Sequence, residues 1–191
     1  MAVNLKHLAN SILRANDSKE IVGSSLWDTQ PTLIVLLRRP GCILCRDEAS
    51  KVWAMKPELD KLGVGMVCVV HEWIQREVTA FTPAFWGGPV YHDVGKDFYK
   101  VLGGGNVVSG SLLPFLNPFS ESWKKVREAQ KNIKDHNLVG DGMSTMGGIL
   151  VVAKGGDVQF MHVERSIGQS ADHAEVMRAV EEVAKLAKAQ Q

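Results

Sequence analysis

Cysteine is scarce, with three in 191 residues. An odd count in a chain of this length excludes the disulfide framework of a small secreted domain. Charge of one sign is missing too. Lys and Arg number 22 against 21 acids, and a net charge of +1 gives no bulk reason to expect nucleic acid. No apolar run approaches the roughly 20 residues that a membrane span needs. The opening residues lack the uninterrupted apolar core of a secretory signal, so a cytoplasmic protein is expected. There is no GxSxG for a hydrolase, no HxxxH, and the run Gly103-Gly104-Gly105 lacks the GK[ST] ending of a phosphate loop. At 45% hydrophobic and 23% charged, the chain has ordinary globular composition. Its length suits one domain covering 1–191.

What is present is an alternation of short apolar runs and helical patterns. Leu5, Leu8, Ile12 and Ala15 fall at helical spacing and predict an amphipathic N-terminal helix. Thr32 to Leu37 is a continuous aliphatic run, as in a strand buried on both faces. After the turn sequence Arg38-Arg39-Pro40-Gly41, a helix is expected from Ile43 to Leu62, kinked or restarted at Pro57 and ended by Gly63. Val64 to Val70 reads as a second buried strand, Trp73 to Phe81 as a helix, Pro89 to His92 as a weak strand, and Lys96 to Leu102 as a short helix. This order argues a parallel α/β core.

Residues 103–119 break the pattern with glycines, two prolines and apolar Leu112, Leu113, Phe115, Leu116 and Phe119. A helix is expected over Ser120 to Asn137, burying Trp123, Val126, Ala129 and Ile133 under a basic outer face. Val139 to Gly148 is glycine-dense. Ile149 to Ala153 and Val158 to Val163 are β-rich runs joined by Lys154-Gly155-Gly156-Asp157, a hairpin signal. A last helix starts at Asp172, with Glu175 as its capping partner and Met177, Val180, Ala184 and Ala187 inward. A βαβ unit followed later by a hairpin and a final helix is the thioredoxin order. The expected fold is therefore α/β and thioredoxin-like: a central mixed sheet flanked by helices, an extra N-terminal helix, and an insertion at about 103–137 before the hairpin.

Cys42 and Cys45 form a CxxC that follows a predicted strand and opens a predicted helix. Unpaired N–H groups and partial positive charge at a helix start stabilise a thiolate at Cys42. A thiol pKa below about 7.5, against about 8.5 for a free cysteine, is expected. Cys45, three residues on, faces the same side and can close a disulfide. Pro40 and Gly41 shape the approach. Arg46, four residues after Cys42, can add positive field. Arg38 and Arg39 flank the turn, and for the arginines solvated surface positions fit as well as thiolate tuning. Cys68, inside MVCVV, reads as an inert buried strand residue. Zinc needs about four ligands, and no second CxxC accompanies the pair. His71, His92 and His162 lie at or near strand ends, as surface or satisfied polar residues.

RRPGCILCRDEA (38–49), followed by GVGMVCVVHE, resembles the peroxiredoxin-like AhpC/TSA family that includes prostamide/prostaglandin F synthase. The resemblance continues at NLVGDGMSTMGGILVV (137–152) and HVERSIGQSADHAEVMRAV. It implies a thioredoxin-fold thiol oxidoreductase with Cys42 and Cys45 as its redox pair. The substrate class would be a peroxide, endoperoxide or disulfide. Electrons would come from a thioredoxin-type, glutathione or NADPH-linked donor, with no cofactor held tightly. Typical peroxiredoxins carry PxxxTxxC; here Arg39 stands three residues before Cys42, where that pattern has its threonine. Met146-Gly147-Gly148 stands where thioredoxins carry a cis-proline. A glycine there either lets backbone approach a ligand or makes a plain turn. A non-enzymatic redox-sensing module is the other function these residues allow.

Overall fold

In this computed structural model, residues 5–136 and 143–189 are described. Thirteen elements follow in chain order. They are β1 (Ile12–Ala15), β2 (Glu20–Val22), β3 (Thr32–Leu37), α1 (Ile43–Trp53), α2 (Lys56–Leu62), β4 (Gly65–Val70) and α3 (Gln75–Phe81). After them come β5 (Val90–His92), α4 (Asp97–Leu102), α5 (Glu121–Ala129), β6 (Gly148–Val152), β7 (Val158–Val163) and α6 (His173–Ala189). The strands form one seven-stranded sheet in the order β2-β1-β5-β4-β3-β6-β7. β3, β4 and β5 run parallel, whereas β6 pairs antiparallel with β3 and β7 with β6. This is the expected mixed α/β sheet of a thioredoxin-like fold.

β3 is central, and all six of its residues are buried. Leu33, Val35 and Leu37 face one layer, with α1, α2 and α6, while Ile34 and Leu36 face another around Phe98 and Tyr99. Side chains alternate across a pleat, so a strand covered on both sides must be apolar at every position. The expected long helix after the CxxC is two helices. α1 stops at Trp53, and Pro57 sits in the first turn of α2, where its missing N–H costs nothing. Gly63 caps α2 in the left-handed conformation, φ 70°.

The predicted N-terminal helix is absent. Leu5–Leu8 is a single 3-10 turn, and Ile12–Ala15 is a strand that pairs with β2 and with β5. Leu5 and Leu8 are buried as the helical spacing required, but beyond them Leu13 is buried and Ile12 is 46% exposed. Sheet-edge pairing outweighed a helical period sampled over barely three turns. Two other helices are shorter than the apolar spacing suggested, and a third buries a different set. α3 begins at Gln75, with Ile74 as its N-cap. α5 ends at Ala129, although Val126, Ala129 and Ile133 are buried as expected. In α6 the inward residues are Val176, Ala179, Val180, Val183 and Ala184, with Met177 only partly covered. Residues 139–142 of the glycine-dense run, and Asn137 at the end of the expected helix, lie outside the described residues.

Candidate active site

The carboxyl ends of β3 and β4 set the site. The Tyr99 hydroxyl, fully buried, sits 2.7 Å from the Leu37 carbonyl and 2.9 Å from that of Val69, bridging the two strand ends. Past Leu37 the chain turns through Arg38-Arg39-Pro40-Gly41 and enters α1 with Cys42 as its N-cap. The Cys42 N–H donates to Arg39 O at 3.3 Å, and Cys42 O accepts the first helical bond from the Arg46 N–H at 2.9 Å. The cysteine sulfurs are therefore at the positive end of the helix, as their spacing predicts. Both are free thiols and nearly covered, 7% exposed at Cys42 and 4% at Cys45.

The two thiols are differentiated by their surroundings. The Cys45 thiol donates to the Cys42 sulfur, its backbone N–H does the same, and the Arg38 and Arg39 charges add to the effect. Together they outweigh burial and hold Cys42 well below the usual thiol range. Burial, and the hydrogen bond that Cys45 must give up to ionise, push the Cys45 thiol up. The surroundings thus favour the thiolate at Cys42 and the protonated thiol at Cys45. Cys68, completely buried in β4, is pushed up by desolvation alone, against its thiolate.

Arg38 is the cation on the sulfur. Its Nη2 donates to Cys42 Sγ at 3.3 Å, and it is 4% exposed. Its other face meets Glu164, with Nε 3.4 Å from Oε2. Glu164 follows β7 and is fixed by Gly147 on both sides. The Glu164 N–H donates to Gly147 O at 3.0 Å, and the Gly147 N–H donates to Glu164 Oε2 at 3.2 Å. Burial raises the Glu164 carboxyl to about 7 despite Arg38. Gly147 is needed for close packing of the protein on itself, because a Cβ there would strike the Leu36 carbonyl. Of the two readings of Met146-Gly147-Gly148, the close backbone approach is to β3.

Arg46 does not face the sulfur. It is wholly buried, donating from Nε to Pro40 O at 2.8 Å and from Nη2 to Glu77 Oε2 at 3.1 Å, with Nη1 on the Asp135 carbonyl and Phe85 under its plane. Its expected field on Cys42 is replaced by a clamp on the turn through the Pro40 carbonyl; Gly41 is buried beside it. None of the three arginines is the solvated residue that their flanking positions allowed, for Arg39 is only 3% exposed.

Cys42 opens into a cavity of about 190 Å³. Arg38 and Arg39 supply its polar edge; Leu44, Leu112, Phe115, Trp123, Val126 and Ile167 supply apolar walls. Phe115 meets Trp123 edge to face at 6.0 Å, and Trp123 Nε1 donates to Phe115 O at 2.9 Å. The apolar segment that breaks the α/β pattern in the sequence is therefore a roof beside the sulfur. Leu112 and Phe115 form its underside, while Leu113, Leu116 and Phe119 point outward at 71%, 80% and 90% exposure. Among the described residues no three His, Cys, Asp or Glu side chains converge as metal ligands would. Sequence reading missed Glu164, whose only local signal is an acid directly after an apolar hairpin strand, and it did not distinguish Arg38 from its neighbour.

Residues 51–166 match the AhpC/TSA antioxidant enzyme family, a stretch that begins beyond the CxxC. The chain is 35% identical over 161 residues to prostamide/prostaglandin F synthase of Sus scrofa, covering 82% of this chain and 76% of that protein. To Peroxiredoxin-like 2A of Xenopus tropicalis it is 32% identical over 189 residues, 95% of this chain and 78% of the relative. In three dimensions it is similar to the bacterioferritin comigratory protein of Xanthomonas campestris, with a TM-score of 0.63 at 13% identity, covering 95% and 97% of the two chains. Peroxiredoxin Q from the same organism matches at a TM-score of 0.58 and 15% identity, over 95% of this chain and 97% of that one. By sequence and by fold, the chain belongs to the AhpC/TSA antioxidant enzyme family, as a peroxiredoxin-like protein whose thioredoxin-type fold serves redox chemistry.

Proposed function

We propose that the protein is a thiol oxidoreductase that reduces a peroxide through a Cys42–Cys45 dithiol/disulfide cycle. The observation that carries this is the Cys42 sulfur itself, at a helix N-cap, accepting from Arg38 and from Cys45, at the base of a cavity. The thiolate attacks the peroxide oxygen, the leaving oxygen departs beside the Arg38 and Arg39 charges, and Cys45 closes the disulfide. Arg39, a buried cation where peroxiredoxins carry a threonine hydroxyl, would serve the leaving oxygen by charge.

The cavity walls favour a substrate with an apolar body, a bulky hydroperoxide or endoperoxide, over hydrogen peroxide. The similarity to a prostamide/prostaglandin F synthase supports the same reading. A thioredoxin-type, glutathione or NADPH-linked donor would return the electrons in a reducing, cytoplasmic setting. Turnover with a dithiol donor and a panel of hydrogen peroxide, lipid hydroperoxide, endoperoxide and small disulfide tests it. The apolar peroxides are expected to give the higher kcat/KM, Cys42→Ser to abolish turnover, and Cys45→Ser to accumulate a mixed disulfide with the donor. Equal turnover by Cys42→Ser refutes the proposal.

The exposed Leu113, Leu116 and Phe119 favour a second reading, in which closure of the disulfide alters the roof as a partner surface. A redox-dependent change in solution mass, without turnover, would select it.

A further inference from the structure

Arg38 is shared between two groups that can each carry a negative charge. Nη2 holds the Cys42 sulfur at 3.3 Å and Nε lies 3.4 Å from Glu164 Oε2. The Arg38 and Glu164 side chains are only 4% and 15% exposed, so a net charge on the trio of Arg38, Cys42 and Glu164 is costly. With Cys42 as thiolate, the trio is neutral if Glu164 carries a proton. With the disulfide closed, it is neutral if Glu164 is ionised.

We propose that Glu164 is the proton-exchanging partner of the dithiol, releasing a proton as Cys42–Cys45 closes and taking one back as it opens, with Arg38 passing from sulfur to carboxylate and back. This rests on the disulfide cycle proposed above. The balance is complete with a hydroperoxide as oxidant. Thiolate, thiol, ROOH and one proton give disulfide, ROH and water. The two sulfurs are oxidised by two electrons, and the peroxide O–O bond is cleaved by the same pair. The proton consumed at the oxygens comes from solvent, and Glu164 returns one to solvent. On reduction, a dithiol donor gives two electrons and two protons. One proton stays on Cys45 and the other goes to Glu164.

Glu164 has its own route to water. A second cavity, of about 390 Å³, is lined by Glu164 with Glu48, Lys51, Lys125, Gln169 and Ser170 and does not reach Cys42. Leu44 walls it from the apolar cavity. Protons and substrate thus enter from different sides. The ionisable groups around the carboxyl are Arg38, Cys42 at the α1 N-cap, Cys45, Asp47, Glu48 and Lys51 from α1, Lys125 and Glu128 from α5, Tyr99 from α4, and His173 from α6 through its bond to Glu48. Tyr99 stays neutral, since burial drives its phenol up. The Glu48–His173 pair is common to wild type and variant, so it cancels between them.

With the carboxyl at about 7 while Cys42 is charged, loss of the thiolate frees Arg38 and lowers it. The midpoint potential of the disulfide is to be measured from about pH 5 to about pH 8 in a dithiol redox buffer, by alkylation and mass, in wild type, Glu164→Gln and Glu164→Asp. Above the titrations of Cys42 and of the oxidised protein's carboxyl, and below about 7, the wild type is expected to take up two protons per two electrons, falling to one at higher pH. Glu164→Gln takes up one throughout, which halves the low-pH slope, and Glu164→Asp restores the break. Parallel slopes in wild type and Glu164→Gln, with a reversible disulfide, overturn the role of Glu164 and leave the cycle standing. If oxidation never removes two hydrogens from the wild type, the cycle and its proton partner fall together. Should Glu164→Gln not fold, a one-proton slope over the whole range in the wild type is by itself sufficient refutation.

Discussion

Replacing Arg38 by methionine removes the cation from the Cys42 sulfur while keeping an unbranched stem in the same space. The magnitude follows from the 3.3 Å contact. At an effective dielectric near 20, unit charges at that distance attract by about 5 kcal/mol, an upper bound. A hydrogen bond to a charged group nets about 1.5–3 kcal/mol, and at about 1.4 kcal/mol per pKa unit this is a rise of about one to two units for Cys42. The thiol and amide of Cys45 still donate, so Cys42 remains below the ordinary thiol range. Ultraviolet thiolate absorbance against pH reads this directly, because burial keeps Cys45 and Cys68 protonated over the range. At a pH below both midpoints, a midpoint higher by about one pH unit costs about tenfold in thiolate and returns about threefold in nucleophilicity. Alkylation of Cys42 should then slow by about three- to tenfold. Arg39→Met, which acts on Cys42 only by charge, should move the midpoint less. A folded Arg38→Met protein whose midpoint rises by less than about half a pH unit would refute the assignment of Arg38 as the thiolate partner.

Arg46→Met should act on stability. It leaves the buried Glu77 carboxylate with only the exposed Arg76, 3.3 Å from its other oxygen, and frees the Pro40 carbonyl, at a cost of about 1.5–3 kcal/mol in urea unfolding. The Cys42 midpoint should move less than in Arg38→Met, since Arg46 faces away from the sulfur. Trp123→Ala removes one wall and the bond to Phe115, and should raise KM for an apolar hydroperoxide about tenfold while sparing hydrogen peroxide; parallel losses on both substrates would contradict an apolar binding role. The His173–Glu48 contact, at 2.9 Å, raises the imidazole above 6.5. Hydrogen bonds from His173 and Ser170 and the His173 charge, against burial, hold the carboxylate below 4.5. The raised group stabilises most below about 6.5 and loses that contribution as pH climbs through its folded pKa. The lowered one contributes above about 4.5 and loses it as pH falls. Melting temperature should therefore decline above about pH 6.5 in the wild type and decline less in His173→Asn, and identical profiles would discount the pair.

The chemistry-bearing residues were legible because they are local. A strand, a Pro-Gly turn and a CxxC at a helix start lie within about fifteen consecutive residues, and spacing alone places both sulfurs at one helix end. The β3 and β4 strands were legible for a related reason, since a strand covered on both faces has to be apolar without interruption. Residues 5–15 were not, because a helical spacing of four apolar side chains cannot report that β5 offers a free edge to β1. Arg38, Arg39 and Arg46 look alike in sequence as cations around a turn. Which one meets the sulfur depends on Glu164, 126 positions beyond Arg38, being brought alongside by the β6–β7 hairpin. The roof of Leu112, Phe115 and Trp123 likewise exists only once α5 packs against α1. Periodicity records which face of an element is buried; it holds no record of which distant element covers it, and charge partners and cavity walls are set by that second choice.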